Sequence, residues 1–200
     1  MFTEILLFGA LFIATMSFTP GPANLSLLSV GASVGLGRAL PYLFGIWAGG
    51  FFVIVAGALG LGALFVAWPQ AYLALKFFGF AYICWLGWKL ARAGFGGGAL
   101  DVAPSFWAGL LLHPVNPKAY VQNVMVFTAF VAPAAPAAPY APQAVALVCV
   151  SMAAMMAATS LWGLGGDVIR RIVREPRIMR AIAVIASALM VASVGAAVSL

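Results

Sequence analysis

Six stretches of this sequence are apolar enough to take lipid as their solvent: residues 3–34, 39–67, 70–91, 105–132, 142–164 and 179–199. A helix that crosses the hydrocarbon core needs about 20 consecutive, mostly apolar residues, and each run supplies them. Of the 200 residues, 65% are hydrophobic and 7% charged, against roughly 45–50% and about 25% in ordinary soluble domains. A water-soluble core could not hide that much apolar surface. The expected architecture is all-α, with six transmembrane helices forming a single domain over residues 1–200 and a lipid bilayer as its partner. The stretch from Met1 to Phe12 contains Glu4 and no Lys or Arg. A secretory leader starts positive, so this stretch reads as an uncleaved first helix.

Breakers separate the runs: Pro69, then Gly96-Gly97-Gly98 with Pro104, then the Ala/Pro segment from Ala132 to Pro142, then Glu175-Pro176. Basic residues alternate from loop to loop. Loops one, three and five hold Arg38, then Lys89 and Arg92, then Arg170, Arg171, Arg174, Arg177 and Arg180, while loops two and four hold none. The positive-inside rule places the basic loops in the cytoplasm and both termini outside. Trp68, Tyr72 and Tyr140 then fall in the outer aromatic belt, and Trp85, Trp88, Trp107 and Trp162 in the inner one. Lys76, a few residues into run three, reads as a snorkelling side chain. The net charge of +6 sits beside the spans, so no nucleic-acid partner is expected. Cys84 and Cys149 lie inside apolar runs and read as small core residues. With a single histidine, His113, no metal centre or cofactor is expected.

Runs one and four differ from the rest. The first is interrupted by Phe18-Thr19-Pro20-Gly21-Pro22-Ala23-Asn24, the second by His113-Pro114-Val115-Asn116-Pro117-Lys118. Each opens a set of three spans, and an odd number per set inserts the second set upside-down. The pattern predicts a 3+3 inverted repeat, about 1–95 and 104–200, with helices 1 and 4 broken. Transporters of that plan bind solute where discontinuous helices meet near the bilayer midplane.

The breaks have chemical consequences. Proline lacks an N–H, so Pro20, Pro22, Pro114 and Pro117 free the carbonyls of Met16, Phe18, Leu110 and His113. Such backbone in a membrane must be buried in protein or line a cavity. Pro22 and Pro117 each suit the first position of a new helix, and Asn116 suits an N-cap. Free N–H groups near Ala23–Asn24 and Lys118–Ala119 then attract anions. Lys118 adds a full charge, which at the bilayer centre costs at least about 2.5 kcal/mol. It either binds solute, caps the freed carbonyls of the other broken helix, or does both. Ser26, Ser29 and Ser33 share one face, as do Asn116, Tyr120 and Asn123. Both stripes read as lining a path, with interhelical hydrogen bonding the alternative for the serines. Positive groups for a carboxylate, free carbonyls for an ammonium and aromatic walls suit a zwitterionic amino acid.

At these residues the sequence resembles the LysE/RhtB family of bacterial amino-acid exporters. TPGPAN at Thr19–Asn24 and NPK at Asn116–Lys118 carry the resemblance. Leu75–Arg92 and Leu161–Arg180 look like the family's third span and its fifth-to-sixth link. The resemblance implies a non-enzymatic, proton-coupled exporter of amino acids or their derivatives in the inner membrane, as a homodimer. It maps the broken-helix motifs onto Thr19, Pro20, Gly21, Pro22, Asn24, Asn116, Pro117 and Lys118. Tyr120 and Asn123 complete the expected path. The expected cycle is alternating access, with Lys118, His113, Asp167 and, on the outer side, Glu4 as candidate proton carriers and Asp167 otherwise a plain loop charge. Two features depart from the family: Thr128-Ala129-Phe130 stands where a Pro-Gln-Phe-like triplet is common, and His113-Pro114 precedes NPK.

Other classes fit less well. An inorganic-ion or metal exporter of a related branch needs acidic or histidine ligands in the spans. An enzyme needs a paired nucleophile and base or two carboxylates, and the chain has four acidic residues in all. An assembly protein would use small-xxx-small pairs such as Gly31/Gly35 and Gly45/Gly49, which suit a dimer or packing within one subunit but leave the broken helices unexplained.

Overall fold

A computed structural model describes residues 2–93, 105–131, 140–173 and 175–199. The triglycine with Pro104, the Ala/Pro segment over 132–139 and Arg174 lie outside the described residues. Among those described, the chain forms helices α1 (Phe2–Phe18), α2 (Pro22–Val34), α3 (Leu36–Ala58), α4 (Leu61–Ala67), α5 (Pro69–Ala93), α6 (Phe106–Leu112), α7 (Pro117–Phe130), α8 (Tyr140–Ile172) and α9 (Pro176–Ser199).

Four helices are long and apolar enough to cross a membrane: Leu36–Ala58, Pro69–Arg92, Pro142–Ile172 and Pro176–Gly195. A fifth span arises if Leu6–Phe18 and Pro22–Val34, bent by 45° at their break, count as one. The expected fourth run is divided into the seven-residue α6 and the fourteen-residue α7. The chain is therefore a multi-pass membrane protein, all-helical among its described residues, and its surface agrees. Phe8, Phe52, Phe77, Phe78 and Trp107 point outward from four different helices, where lipid rather than water is the compatible solvent.

Two boundaries differ from the sequence reading. Run two is not continuous: α3 stops at Leu59, and Gly60 takes a left-handed φ of 91° before α4 begins. A left-handed residue just after a helix is the usual glycine stop. Run five reaches further than expected, because α8 continues through Asp167 to Ile172. Asp167 pairs with Arg170 and Arg171, three and four residues on, and that spacing supports a helix rather than a loop.

The buried centre is α2, in which every residue except Leu28 and Ser33 is buried. It packs along α8 and α9, and α3 packs along α6, α7 and α8. Glycine makes the closest crossings. A Cβ at Gly45 would collide with the Phe106 carbonyl, at Gly49 with that of Leu110, and at Gly109 with that of Tyr42. Across the other seam, Gly31 meets the Gly163 carbonyl and Gly166 that of Leu28. The small-residue pairs thus serve packing within one subunit. Two apolar clusters result. Leu27, Ile46, Ile83 and Met190 anchor one, and Ile13, Val126, Leu147 and Met155 the other. Trp47 touches both. Cys149 is exposed and Cys84 half-buried, so neither is the core residue the sequence suggested.

Candidate functional site

Between the two clusters, the broken helices leave a partly open cavity of about 60 Å³. Its walls come from the end of α1, the first break, the starts of α2 and α7, and the middles of α3 and α8. Three of the four freed backbone carbonyls find hydrogen-bond partners around it. Met16 O accepts from the Thr19 hydroxyl at 2.7 Å, and Phe18 O from the Trp162 indole N–H at 3.4 Å. The Asn24 amide donates to Ser17 O and Thr19 O at 2.8 and 2.9 Å. His113 O accepts from the Asn116 N–H at 3.0 Å, and Pro114 O from the Tyr120 hydroxyl at 2.9 Å. Leu110 O is pressed against Gly49. Each break is thus stabilised by side chains within or beside it, as backbone out of reach of water requires. Trp162, read from sequence as part of an interfacial belt, donates its indole N–H to the first break.

Lys118 joins the two breaks. Its ammonium donates to Thr19 Oγ1 at 3.0 Å and to Pro20 O at 3.1 Å. Gly21 leaves it the room, since a Cβ there would stand 3.1 Å from Nζ. Lysine has three N–H donors, and both of these acceptors are uncharged. Among the described residues no Asp or Glu lines the cavity. The site is therefore a half-buried cation held by neutral oxygens.

The helix starts are unequal. At α7 the Asn116 side chain accepts from the Lys118 N–H at 3.1 Å, and Asn116 O accepts from the Ala119 N–H at 3.0 Å. The expected free donors at Lys118–Ala119 are thus taken. At α2, Gly21 has no capping side chain and Pro22 no N–H, so the first-turn donors of Ala23 and Asn24 remain at the cavity wall.

Of the residues predicted from sequence, Thr19, Gly21, Pro22, Asn24, His113, Asn116, Lys118 and Asn123 line one cavity. Pro20 contributes only its carbonyl, and Pro117 is buried at the start of α7. Tyr120 stands apart: its ring packs edge-on against Phe65 at 5.5 Å and faces a separate apolar groove shared with Tyr72 and Val124. The serines are also elsewhere. Ser26 bonds Ala23 O and accepts from the Tyr42 hydroxyl, and Ser33 bonds Ser29 O, which is the interhelical and local hydrogen-bonding alternative. Asp167 is 6% exposed and lies far along α8, held by Arg170, Arg171 and the Leu36 backbone N–H. It is neither a loop charge nor part of the cavity. Sequence reasoning missed the α8 wall of Ser151, Met155 and Thr159. The signal in the sequence was Ser151 and Thr159, two turns apart in a run whose other polar side chains are Gln143 and Ser160.

A multi-pass helical membrane protein whose interrupted helices meet around a cation held by neutral oxygens has an architecture that membrane solute carriers use. Comparison with known proteins gives the family: residues 14–199 match the family described as LysE type translocator, and the chain belongs to it. Curated relatives include proteins named Cysteine/O-acetylserine efflux protein from Escherichia coli (strain K12) and from Shigella sonnei (strain Ss046). Each is 35% identical to this chain over 117 residues, which is 58% of this chain and 60% of the relative. The match thus spans less than two thirds of those relatives. No solved structure matches.

Proposed function

We propose that this protein exports amino acids or amino-acid derivatives from the bacterial cytoplasm across the inner membrane. One observation carries the reading: the Lys118 ammonium, held between the two breaks by uncharged oxygens in a cavity with no acidic lining among the described residues. A desolvated cation of this kind attracts a carboxylate. The uncapped start of α2 adds the partial positive charge of a helix N-terminus on the same wall. Family membership and the names of the relatives support an amino-acid solute.

The proposed architecture is six spans in a 3+3 inverted repeat. Pairing α1–α2 with α6–α7, α3 with α8 and α5 with α9 supports it. Under that exchange the packing of α8 on both α1 and α2 becomes the packing of α3 on both α6 and α7, and α5 against α9 maps onto itself. The proposed cycle is alternating access, in which the repeats rock about the cavity and widen it. The present volume of about 60 Å³ is well below the ~150 Å³ that accommodates benzene, so an amino acid requires such widening. Proton coupling through Lys118, His113 or Asp167 belongs to the same proposal, with Asp167 lying outside the cavity in ion pairs with Arg170 and Arg171. The positive-inside rule orients the chain with Arg38, Arg170 and Arg171 in the cytoplasm.

The test is export from cells loaded with dipeptides, comparing wild type with Lys118→Ala at equal membrane protein level. Wild type should raise extracellular amino acid and the variant should not. Equal export by both would remove the cation from the function.

A further inference from the structure

A second cavity, of about 330 Å³, lies apart from the broken-helix site, between α7 and the α4–α5 corner. Phe65 and Tyr72 line one side, and Val121 and Val124 the other. The Tyr120 ring meets Phe65 edge-on at 5.5 Å, and its hydroxyl is already bonded to Pro114 O at 2.9 Å. No lining side chain is charged. Since ~150 Å³ accommodates the six carbons of benzene, this groove has room for on the order of a dozen carbons. Walls of this kind suit a hydrocarbon chain rather than a zwitterion.

A cation stands at the rim. Lys76, one turn after Tyr72 on α5, holds its ammonium 5.4 Å from the centre of the Tyr72 ring, within cation–π range. Long helical side chains lean toward the helix start, so this head is turned toward Pro69 and the membrane surface. Next to it Phe77 and Phe78 are each 69% exposed, which sets this stretch of α5 against lipid. Apart from Lys118 at the break, Lys76 is the only basic residue outside loops one, three and five. Among the described residues it makes no ion pair. A charged side chain within a span is costly and is kept for a partner, and a ring face offsets only part of that cost. A hydrocarbon groove with an unpaired cation at its edge complements one kind of molecule. We propose that the groove holds an acyl chain of an anionic phospholipid of the outer leaflet, whose phosphate pairs with Lys76. The seated chain would pack against the Tyr120 ring, which links the lipid to the second break through Pro114 O.

The test needs no transport measurement, so its outcome is separate from that of the export reading. Purified full-length protein in mild detergent is titrated with phosphatidylglycerol, with phosphatidylethanolamine of the same chains, or with glycerol 3-phosphate. Native mass spectrometry then counts what is retained. Wild type is expected to hold one phosphatidylglycerol about fivefold more tightly than phosphatidylethanolamine, and not to hold glycerol 3-phosphate. Lys76→Gln should bring that preference below about twofold, whereas Arg177→Gln in the fifth loop should leave it as in wild type. Val121→Trp fills the groove and should lose the bound lipid of either headgroup. An unchanged size-exclusion profile is required of each variant, and Lys76→Gln, the milder change at a half-buried site, carries the test if the tryptophan misfolds. A preference that survives Lys76→Gln, or falls equally in Arg177→Gln, overturns the proposal. So does retention of glycerol 3-phosphate as tight as that of the lipid. A dimer that Val121→Trp dissociates, with no lipid retained by wild type, would give the groove to a second copy of the chain and overturn it as well.

Discussion

Lys118 Nζ donates to the Thr19 hydroxyl across 3.0 Å, although the two residues are 99 positions apart in the chain. The same ammonium reaches the Pro20 carbonyl, and the Thr19 hydroxyl in turn donates to Met16 O. One cation thus holds the first break closed from the second. Any solute carboxylate that approaches must compete with, or add to, these neutral partners.

Removing the Thr19 hydroxyl should loosen the cation without removing it. Thr19→Val keeps the shape and deletes one acceptor, a loss of about 1 kcal/mol by analogy with single hydrogen bonds. Export is expected to fall roughly fivefold, less than for Lys118→Ala. Initial export rates at matched protein level check the order of the two.

Gly21 tests the space around the same group. Its φ of −161° is open to any residue, so Gly21→Ala should fold. Its methyl would stand 3.1 Å from Nζ and should displace the flexible ammonium rather than the backbone. The expected outcome is strongly reduced export with an unfolding temperature within a few degrees of wild type. A variant that exports normally would show that the position of the ammonium is not critical.

Asn24 is expected to matter for stability. Its buried amide satisfies two carbonyls of the first break, and Asn24→Ala leaves both short of a partner. The cost should be about 1–3 kcal/mol per orphaned group, visible as a lowered thermal unfolding temperature in detergent.

The α2–α3 corner gives a further contrast. Gly35 has a φ of +82°, and a Cβ there would meet Asp167 Oδ1 and Arg170 Nη2, each at 2.9 Å. Gly35→Ala should therefore be destabilising for backbone and packing reasons together, by about 1–3 kcal/mol. Asp167→Asn removes two ion pairs whose arginines are 45% and 71% exposed. Solvent screening limits each such pair to about 1 kcal/mol or less. Thermal unfolding should rank Gly35→Ala well below Asp167→Asn.

Proline made the two breaks legible before any coordinates, because a missing N–H acts locally and at a fixed offset. Asn116 as the N-cap of α7 was legible for the same reason. The glycine stop at Gly60 was also present in the sequence, but the apolar residues on both sides hid it. Asp167 looks like a loop charge in the sequence, yet its i+3 and i+4 arginines carry the helix past it. The Trp162–Phe18 bond and the Ser151 wall depend on how α8 lies against α1 and α2. No local pattern encodes that arrangement. Tyr120 shared a helical face with Asn116 and Asn123, yet the ring turned toward Phe65. Spacing fixes the azimuth of a side chain but not which neighbour it finds.

The glycine seams join helices made early to helices made late: Gly31 of α2 fits against Gly163 of α8, and Gly45 of α3 against Phe106 of α6. Neither half can therefore finish its packing during synthesis while the other is still in the ribosome. The buried helix α2 must wait in the bilayer, its polar break exposed to lipid or sheltered by the insertion machinery, until α8 arrives. The packing of α2 is therefore complete only once α8 is present, and a chain truncated before α8 should be degraded rather than half-assembled.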